Sequence, residues 1–195
     1  MSARGLDFRR RCGGRRGKHA VLAVMAVFAA LWLVAASRVH VNASWSDEAW
    51  GYAAFPLFGT EPKIGDQVLF QPPEGLEAPV PYLKTVRGVP GMRIEIRQDG
   101  TVLLDGVAVG RAKSHALDGR PLEAIAPGII PPGRYFLHAG HPDSHDSRYA
   151  EIGLVPRDRI LGRAVALPDL PWLGLKGPLV GPDDIRRAGA PEAGR

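Results

Sequence analysis

Lys84 stands in the run Pro81-Tyr82-Leu83-Lys84-Thr85-Val86-Arg87-Gly88-Val89-Pro90-Gly91, where a cation interrupts what otherwise reads as a half-buried strand closed by a turn. Desolvation disfavours an ammonium held among apolar neighbours, so such a lysine loses its proton more readily than a solvated one and can serve as a general base. A base of that kind needs a nucleophile, and a serine hydroxyl suits it, since the amine takes the proton as the oxygen attacks. Ser46, in Asn42-Ala43-Ser44-Trp45-Ser46-Asp47-Glu48-Ala49-Trp50-Gly51-Tyr52, is the positional candidate. The only cysteine, Cys12, lies in the N-terminal tail, which leaves the residues after it without a thiol nucleophile, an internal disulfide or a thiolate metal site. On Lys84 and Ser46 alone, a solvated lysine and an ordinary serine remain an open reading.

The histidines offer rival chemistry. His138, His141 and His145 cluster closely enough to suggest a zinc site, or a Ser/His/Asp triad with Asp146. The spacing of His141 and His145 matches no helical His-Glu-x-x-His arrangement, and the segment is full of turn formers. A triad would leave Lys84 without a role. Neither a metal nor any other cofactor is expected.

The elements that must position these residues begin with a hydrophobic span. From Ala20 to Ala36 the chain carries 17 uncharged apolar residues, at the short end of what crosses a bilayer once Val39 and a snorkelling Arg38 are allowed. Arg4, Arg9, Arg10, Arg11, Arg15, Arg16 and Lys18 precede it against a single acid, Asp7, so the positive-inside rule puts the N-terminus in the cytoplasm. The small residues Ala35, Ala36 and Ser37 keep a cleavable secretory signal as the alternative. Those N-terminal cations also account for the net charge of +5: the rest of the chain carries 18 basic against 19 acidic residues, so no nucleic-acid surface is implied. Ser46 lies ten residues past Ala36, at most about 33 Å along an extended chain, and so within reach of the membrane surface. Trp45, Trp50, Tyr52, Phe55 and Phe58 fit either an interfacial aromatic belt or ordinary core and groove lining.

Past the span, short apolar runs are punctuated by Gly and Pro, with no amphipathic helical stretch of convincing length, which is the texture of an all-β domain. Expected strands are Gln67–Phe70, Val80–Arg87, Arg93–Arg97, Thr101–Leu104, Val107–Val109, Arg134–His138 and Arg159–Leu167, with Asp99-Gly100 and Asp105-Gly106 as two-residue hairpin turns. The expected organisation is a basic cytoplasmic tail over 1–19, a transmembrane helix over 20–37, a β-rich catalytic domain over 38–170, and a Pro/Gly-rich tail over 171–195.

A third segment joins the two candidates. Gly140-His141-Pro142-Asp143-Ser144-His145-Asp146-Ser147-Arg148-Tyr149 is followed by Gly153-Leu154-Val155-Pro156 and Ile160-Leu161-Gly162-Arg163-Ala164. The order of membrane anchor, Ser46, Lys84, the Ser144-x-Asp146-Ser147-Arg148-Tyr149 box, Val155-Pro156 and Gly162-Arg163-Ala164 resembles the signal peptidase I family of Ser/Lys membrane endopeptidases, over roughly residues 20 to 167. Within it the chain is most similar to the conjugal-transfer, TraF-like branch that matures pilin precursors. The resemblance implies a mainly β periplasmic domain behind one transmembrane helix in the bacterial inner membrane. It implies Ser46 as nucleophile, Lys84 as base, and an oxyanion hole from the Ser46 N–H and the Ser44 hydroxyl. Ser144 would orient the lysine, and Asp146 and Arg148 would form a supporting buried ion pair. The partners it implies are a precursor protein with a hydrophobic leader, and membrane lipid.

Two places depart from the general pattern. Glu48 and Trp50 stand where the family commonly has Pro and Gly, and Gly51 comes one position late, although Tyr52 keeps its register with Ser46. His141-Pro142 replaces the Gly-Asp-Asn entry of the general enzymes and matches the transfer branch. The alternative function is a catalytically degenerate relative acting in assembly of a transfer or secretion apparatus.

Overall fold

A computed structural model describes residues 14–42, 48–73, 75–76 and 80–177. It divides into two units, Met1–Arg38 and Val39–Arg195. The first contains a helix, α1, over Gly14–Ala36. Its Gly17–Ala36 portion has a mean hydropathy of 2.3 and no buried residue, so it is long and apolar enough to cross a membrane. The helix starts ahead of the apolar run and takes in Arg15, Arg16 and Lys18. Arg and Lys are good helix formers, so nothing stops the helix at the hydrophobic boundary.

The second unit is mainly β. Its strands are β1 (Val39–Val41), β2 (Gly51–Phe55), β3 (Gln67–Phe70), β4 (Tyr82–Gly88), β5 (Arg93–Ile96), β6 (Thr101–Leu104), β7 (Val107–Arg111), β8 (Gly128–Ile129), β9 (Arg134–His138), β10 (Val155–Pro156) and β11 (Ile160–Ala166). Seven of them form one antiparallel sheet in the order β1-β2-β11-β3-β4-β9-β10, and four form a second in the order β7-β6-β5-β8. The runs expected around residues 67, 82, 93, 101, 107, 134 and 160 are all strands, within a residue or two at their ends. Four strands come in addition to those expected: β1, β2, β8 and β10.

Side-chain alternation assigns the faces. Across the β3–β4 ladder, Val68 lies opposite Lys84, Leu69 opposite Leu83 and Phe70 opposite Tyr82. Val68 and Phe70 belong to a core with Leu57, Val86, Tyr135, Leu137, Ile152, Val155 and Ile160, whereas Leu69 joins Tyr52 and Ala164 in a smaller cluster on the other face. Opposed residues share a face, so Lys84 points to the main core side. A third cluster, with Ile94, Val102, Leu104, Ile130, Phe136 and Tyr149, packs the second sheet. Gly88, at the bulge between β4 and β9, allows the two sheets' cores to meet there: a Cβ at this position would lie 2.6 Å from Ile130 Cδ1 and 2.8 Å from Phe136 Cβ.

The turns correct one expectation and fit another. At Asp105-Gly106 both residues have positive φ, 47° and 79°, as a type I′ hairpin turn requires. At Asp99-Gly100 only Gly100 does, at 83°, and Arg97 N donates to Thr101 O (2.9 Å), so the loop has three residues, Gln98-Asp99-Gly100. The Asp99 carboxylate accepts the Thr101 N–H and is held below the usual carboxylate range chiefly by that bond.

Candidate active site

Lys84 is 6% exposed on the core-facing side of β4. Its Nζ lies 5.7 Å from the centroid of the Tyr82 ring, two residues earlier on the same face. Burial with an aromatic face alongside is the setting in which an amine is held in one place and its hydration is reduced. The strand around it is paired unevenly. β3 covers Gln67 to Phe70 opposite Thr85 to Tyr82, but the β9 ladder begins at Thr85, opposite His138, and runs toward Gly88. The Tyr82–Lys84 half of β4 has no β9 partner.

The segment after β9 folds back onto that strand. Leu137 N donates to Ser147 Oγ (2.9 Å) and Ser147 N donates to Leu137 O (2.9 Å), so Ser147, fully buried, continues the edge of β9 in place of a strand. Asp146 and Arg148 lie beneath it at 0% and 2% exposure. Arg148 donates from Nε to Asp146 Oδ1 (2.8 Å) and from Nη2 to Asp146 Oδ2 (3.1 Å), a fork-on-carboxylate pair. The remaining lone pairs of Asp146 accept the N–H groups of Ala139 (3.2 Å) and Arg148 (3.1 Å). The guanidinium's other three protons are shared among the carbonyls of Arg111, Pro142, His141 and Ser144. Such a pair is tolerable in an apolar setting because every donor and acceptor is met. It ties β7, through the Arg111 carbonyl, to the loop that carries Ser144.

Ser144 is 4% exposed, and its Oγ finds no hydrogen-bond partner among the described residues. A buried hydroxyl without a partner is costly, and functional sites are where such groups concentrate. Ser44 and Ser46 lie outside the described residues. The two feet of the segment that carries them are fixed, however. Asn42, buried just after β1, donates from its backbone N–H to Trp50 O (2.8 Å) and from Nδ2 to Ala49 O (2.8 Å). The β1–β2 ladder continues from there with Val41 opposite Gly51. Asn42 thus ties the end of β1 to the residues just before β2. Glu48 is exposed, where solvent screens its charge.

The aromatic residues of this region divide. Trp50 and Tyr52 are buried, Trp50 donating from Nε1 to Pro168 O (2.9 Å), so these two belong to the core and not to an interfacial belt. Phe55 and Phe58 remain exposed. Trp45 lies outside the described residues.

The histidines are drawn in different directions. His138 Nε2 is 3.9 Å from Asp146, too long for a hydrogen bond, and the carboxylate is already committed to Arg148. A Ser/His/Asp relay through His138 therefore lacks its acid. The ring packs instead against Gly110 of β7, where a Cβ would lie 2.8 Å from Nε2 and 3.2 Å from Arg148 Cδ. Burial, opposed by Asp146 and reinforced by Arg148, Arg87 and Lys84, pushes the His138 pKa down to about 4, so the ring is neutral at pH 7. His141 Nδ1 accepts the Asp143 N–H (3.1 Å), and His145 Nε2 lies 2.9 Å from Glu151. Among the described residues no three His, Cys, Asp or Glu side chains form a group that could hold a metal ion. A cleft of about 730 Å³ opens between β7 and this loop, lined by Gly110, Arg111, His138, Gly140 and Arg148 among others. Lys84 does not line it.

A buried strand lysine and a loop strapped down by an Asp–Arg pair make up the described part of the candidate site. The family model for signal peptidase, peptidase S26, matches residues 15–167, and the chain belongs to that family. It is 38% identical over 86 residues to the conjugal transfer protein TraF of Agrobacterium fabrum, covering 43% of this chain and 47% of that protein. It is 30% identical over 120 residues to a probable signal peptidase I-2 of Synechocystis, covering 59% and 52%, and 30% identical over 141 residues to signal peptidase I of Rickettsia typhi, covering 55% and 52%. The chain thus spans about half the length of the curated relatives it matches. Among solved structures it is similar to a signal peptidase I of Enterococcus faecalis, with 24% identity, 56% of this chain and 98% of that chain covered, and a TM-score of 0.35.

Proposed function

We propose that this chain is a membrane-anchored serine endopeptidase that removes leader sequences from exported precursors, a pilin or other conjugative transfer protein among them, with Ser46 and Lys84 as its catalytic dyad. The observation that carries the reading is the placement of Lys84, buried on the core side of β4 in a chain of this family. In the proposed cycle, neutral Lys84 takes the Ser46 proton as Oγ attacks the scissile carbonyl. The Ser46 N–H and the Ser44 hydroxyl stabilise the oxyanion, and the protonated lysine returns its proton to the leaving amine. Water, deprotonated by the same lysine, then hydrolyses the acyl-enzyme. The unpartnered Ser144 hydroxyl is available to orient the amine, and the Asp146–Arg148 pair holds the loop that carries it.

A precursor would add as an extended strand beside β4 and select small side chains by shape. Anchoring by α1, with the N-terminus cytoplasmic and the β unit periplasmic, would bring β4 to precursors whose leaders lie in the inner membrane. The test is processing of a leader-bearing precursor in cells that make the wild-type chain, Ser46→Ala or Lys84→Ala. The expected result is mature product from the wild type and uncleaved precursor from both variants; equal processing by all three would sink the dyad, and no processing by any would favour the degenerate alternative.

A further inference from the structure

We propose that the hairpin over Ser114–Leu122 and the loop that carries Ser144 form a pocket for the precursor's mature side, taking an apolar side chain from the first few residues after the cut. The proposal rests on the Ser46/Lys84 reading above and deepens it.

The hairpin is firmly built. Leu122 N donates to Ser114 O (2.9 Å) and Ala116 N to Arg120 O (2.8 Å), His115 lies opposite Pro121, and Gly119 at φ 84° closes the turn. Both of its ends are clamped to the chain around Ser144. Lys113 pairs with Asp143, Arg120 pairs with Glu151, and the Lys113 N–H donates to the Tyr149 hydroxyl (3.3 Å). Between hairpin and loop lies a cavity of about 250 Å³, lined by Ala116, Leu117, Leu122, Ser144, His145 and Tyr149 among others.

The cavity suits an uncharged guest. Its two cations, Lys113 and Arg120, each have a carboxylate partner, and Asp118 accepts the Arg120 N–H (3.0 Å). Burial holds His145 below its ordinary pKa, so its ring is neutral at pH 7. Leu117 is 73% exposed in the turn of the hairpin, where an apolar side chain entering beside Leu122 would cover it.

The ladders place this cavity on the precursor's path. β3 lies along one flank of β4 from Tyr82 to Thr85, and β9 takes the other flank from Thr85 onward. A precursor strand held beside Lys84 therefore lies in line with β9 and cannot run past Thr85. With the leader side selected along β4, the chain beyond the scissile bond has to leave over the segment that follows β9. That segment carries Ser144, the residue proposed above to orient the lysine, and Ser144 is also one wall of the cavity.

The test measures kcat/KM with purified full chain in lipid, on leader-bearing precursors that carry Leu or Ser at a single position on either side of the cut. At one mature-side position Leu should exceed Ser by about 10-fold in the wild type. Leu117→Ser should bring that ratio to about threefold or less, and Ala116→Trp, which fills the cavity, should turn the preference against Leu. A ratio near one at every mature-side position would overturn the pocket, as would a ratio that Leu117→Ser leaves unchanged. A preference that responds to Leu117→Ser only at leader-side positions would give the cavity to the leader and overturn the proposal in that way. A folded wild-type chain that cleaves no precursor would instead overturn the dyad reading, and the pocket's role with it.

Discussion

The Ser144–Arg148 loop and the β5–β7 hairpins meet at Gly110, and they are built on opposite terms. The hairpins follow local rules: alternating side chains, a type I′ turn at Asp105-Gly106, and a three-residue loop whose Asp99 caps Thr101. Their polar groups face water, and each local choice agrees with the fold. The loop buries Ser144, Asp146, Ser147 and Arg148, and it is held by an ion pair whose remaining hydrogen bonds go to nearby backbone groups and to the Arg111 carbonyl of β7. The hairpins are specified by local turn chemistry, whereas the loop is specified by a buried ion pair, and under the proposed function that pair supports the Ser/Lys site.

Substitutions can undo that contrast, and their effects should fall in a definite order. Asp146→Ala leaves a buried guanidinium facing no carboxylate and should destabilise the β unit by about 3–5 kcal/mol in urea unfolding. A loss below about 1 kcal/mol would mean that the ion pair does not specify the loop. Next comes pH. His138 is neutral when folded, with its pKa depressed to about 4 against an ordinary 6.5, so between those values the unfolded chain binds a proton that the folded one does not. Stability should therefore be full above about pH 6.5 and should fall as pH drops toward 4, by on the order of 2–3 kcal/mol. His145, also depressed, chiefly by burial, acts in the same direction. A His138→Gln variant should flatten most of that slope; an unchanged slope would place its origin in other groups.

Smaller effects test the boundary between the two regions. Gly110→Ala puts a methyl 2.8 Å from His138 Nε2 and should cost about 1–3 kcal/mol, since the ring or Arg148 must move. The double variant with His138→Ala should recover part of it, which a thermal melt can read. Smallest is Asp105→Ala in the hairpin. Its carboxylate accepts the Arg93 N–H (2.7 Å) in an exposed turn, and its loss should cost about 1 kcal/mol. A larger loss there than for Asp146→Ala would invert the ranking of loop over hairpin.

The same division explains what can be read from sequence. The strands from β3 to β7, with β9 and β11, are legible because β-branched and aromatic residues alternate between turn formers. β1 and β2 are not, since three residues of Val-His-Val and a Gly-Tyr-Ala-Ala-Phe run carry little periodic signal and are made strands by pairing with each other and with β11. Trp50 and Tyr52 are ambiguous for a different reason: amphipathic rings suit an interface as well as a core, and only the Pro168 carbonyl, 118 residues away, decides for Trp50. Lys84 is legible as a cation in a strand. Asp146 and Arg148 are legible only through family resemblance, because the carbonyls that satisfy Arg148 come from neighbouring turns and from β7. The packing of His138 on Gly110 has no local signature at all.

The central claim is that Lys84 is the base for Ser46. Its most direct test is kcat/KM for a leader-bearing precursor, measured with purified wild-type chain and with Lys84→Ala in the same lipid. A base of this kind predicts a fall of about 10³-fold or more, carried by kcat with KM nearly unchanged. A variant that retains kcat/KM to within about threefold would contradict the account.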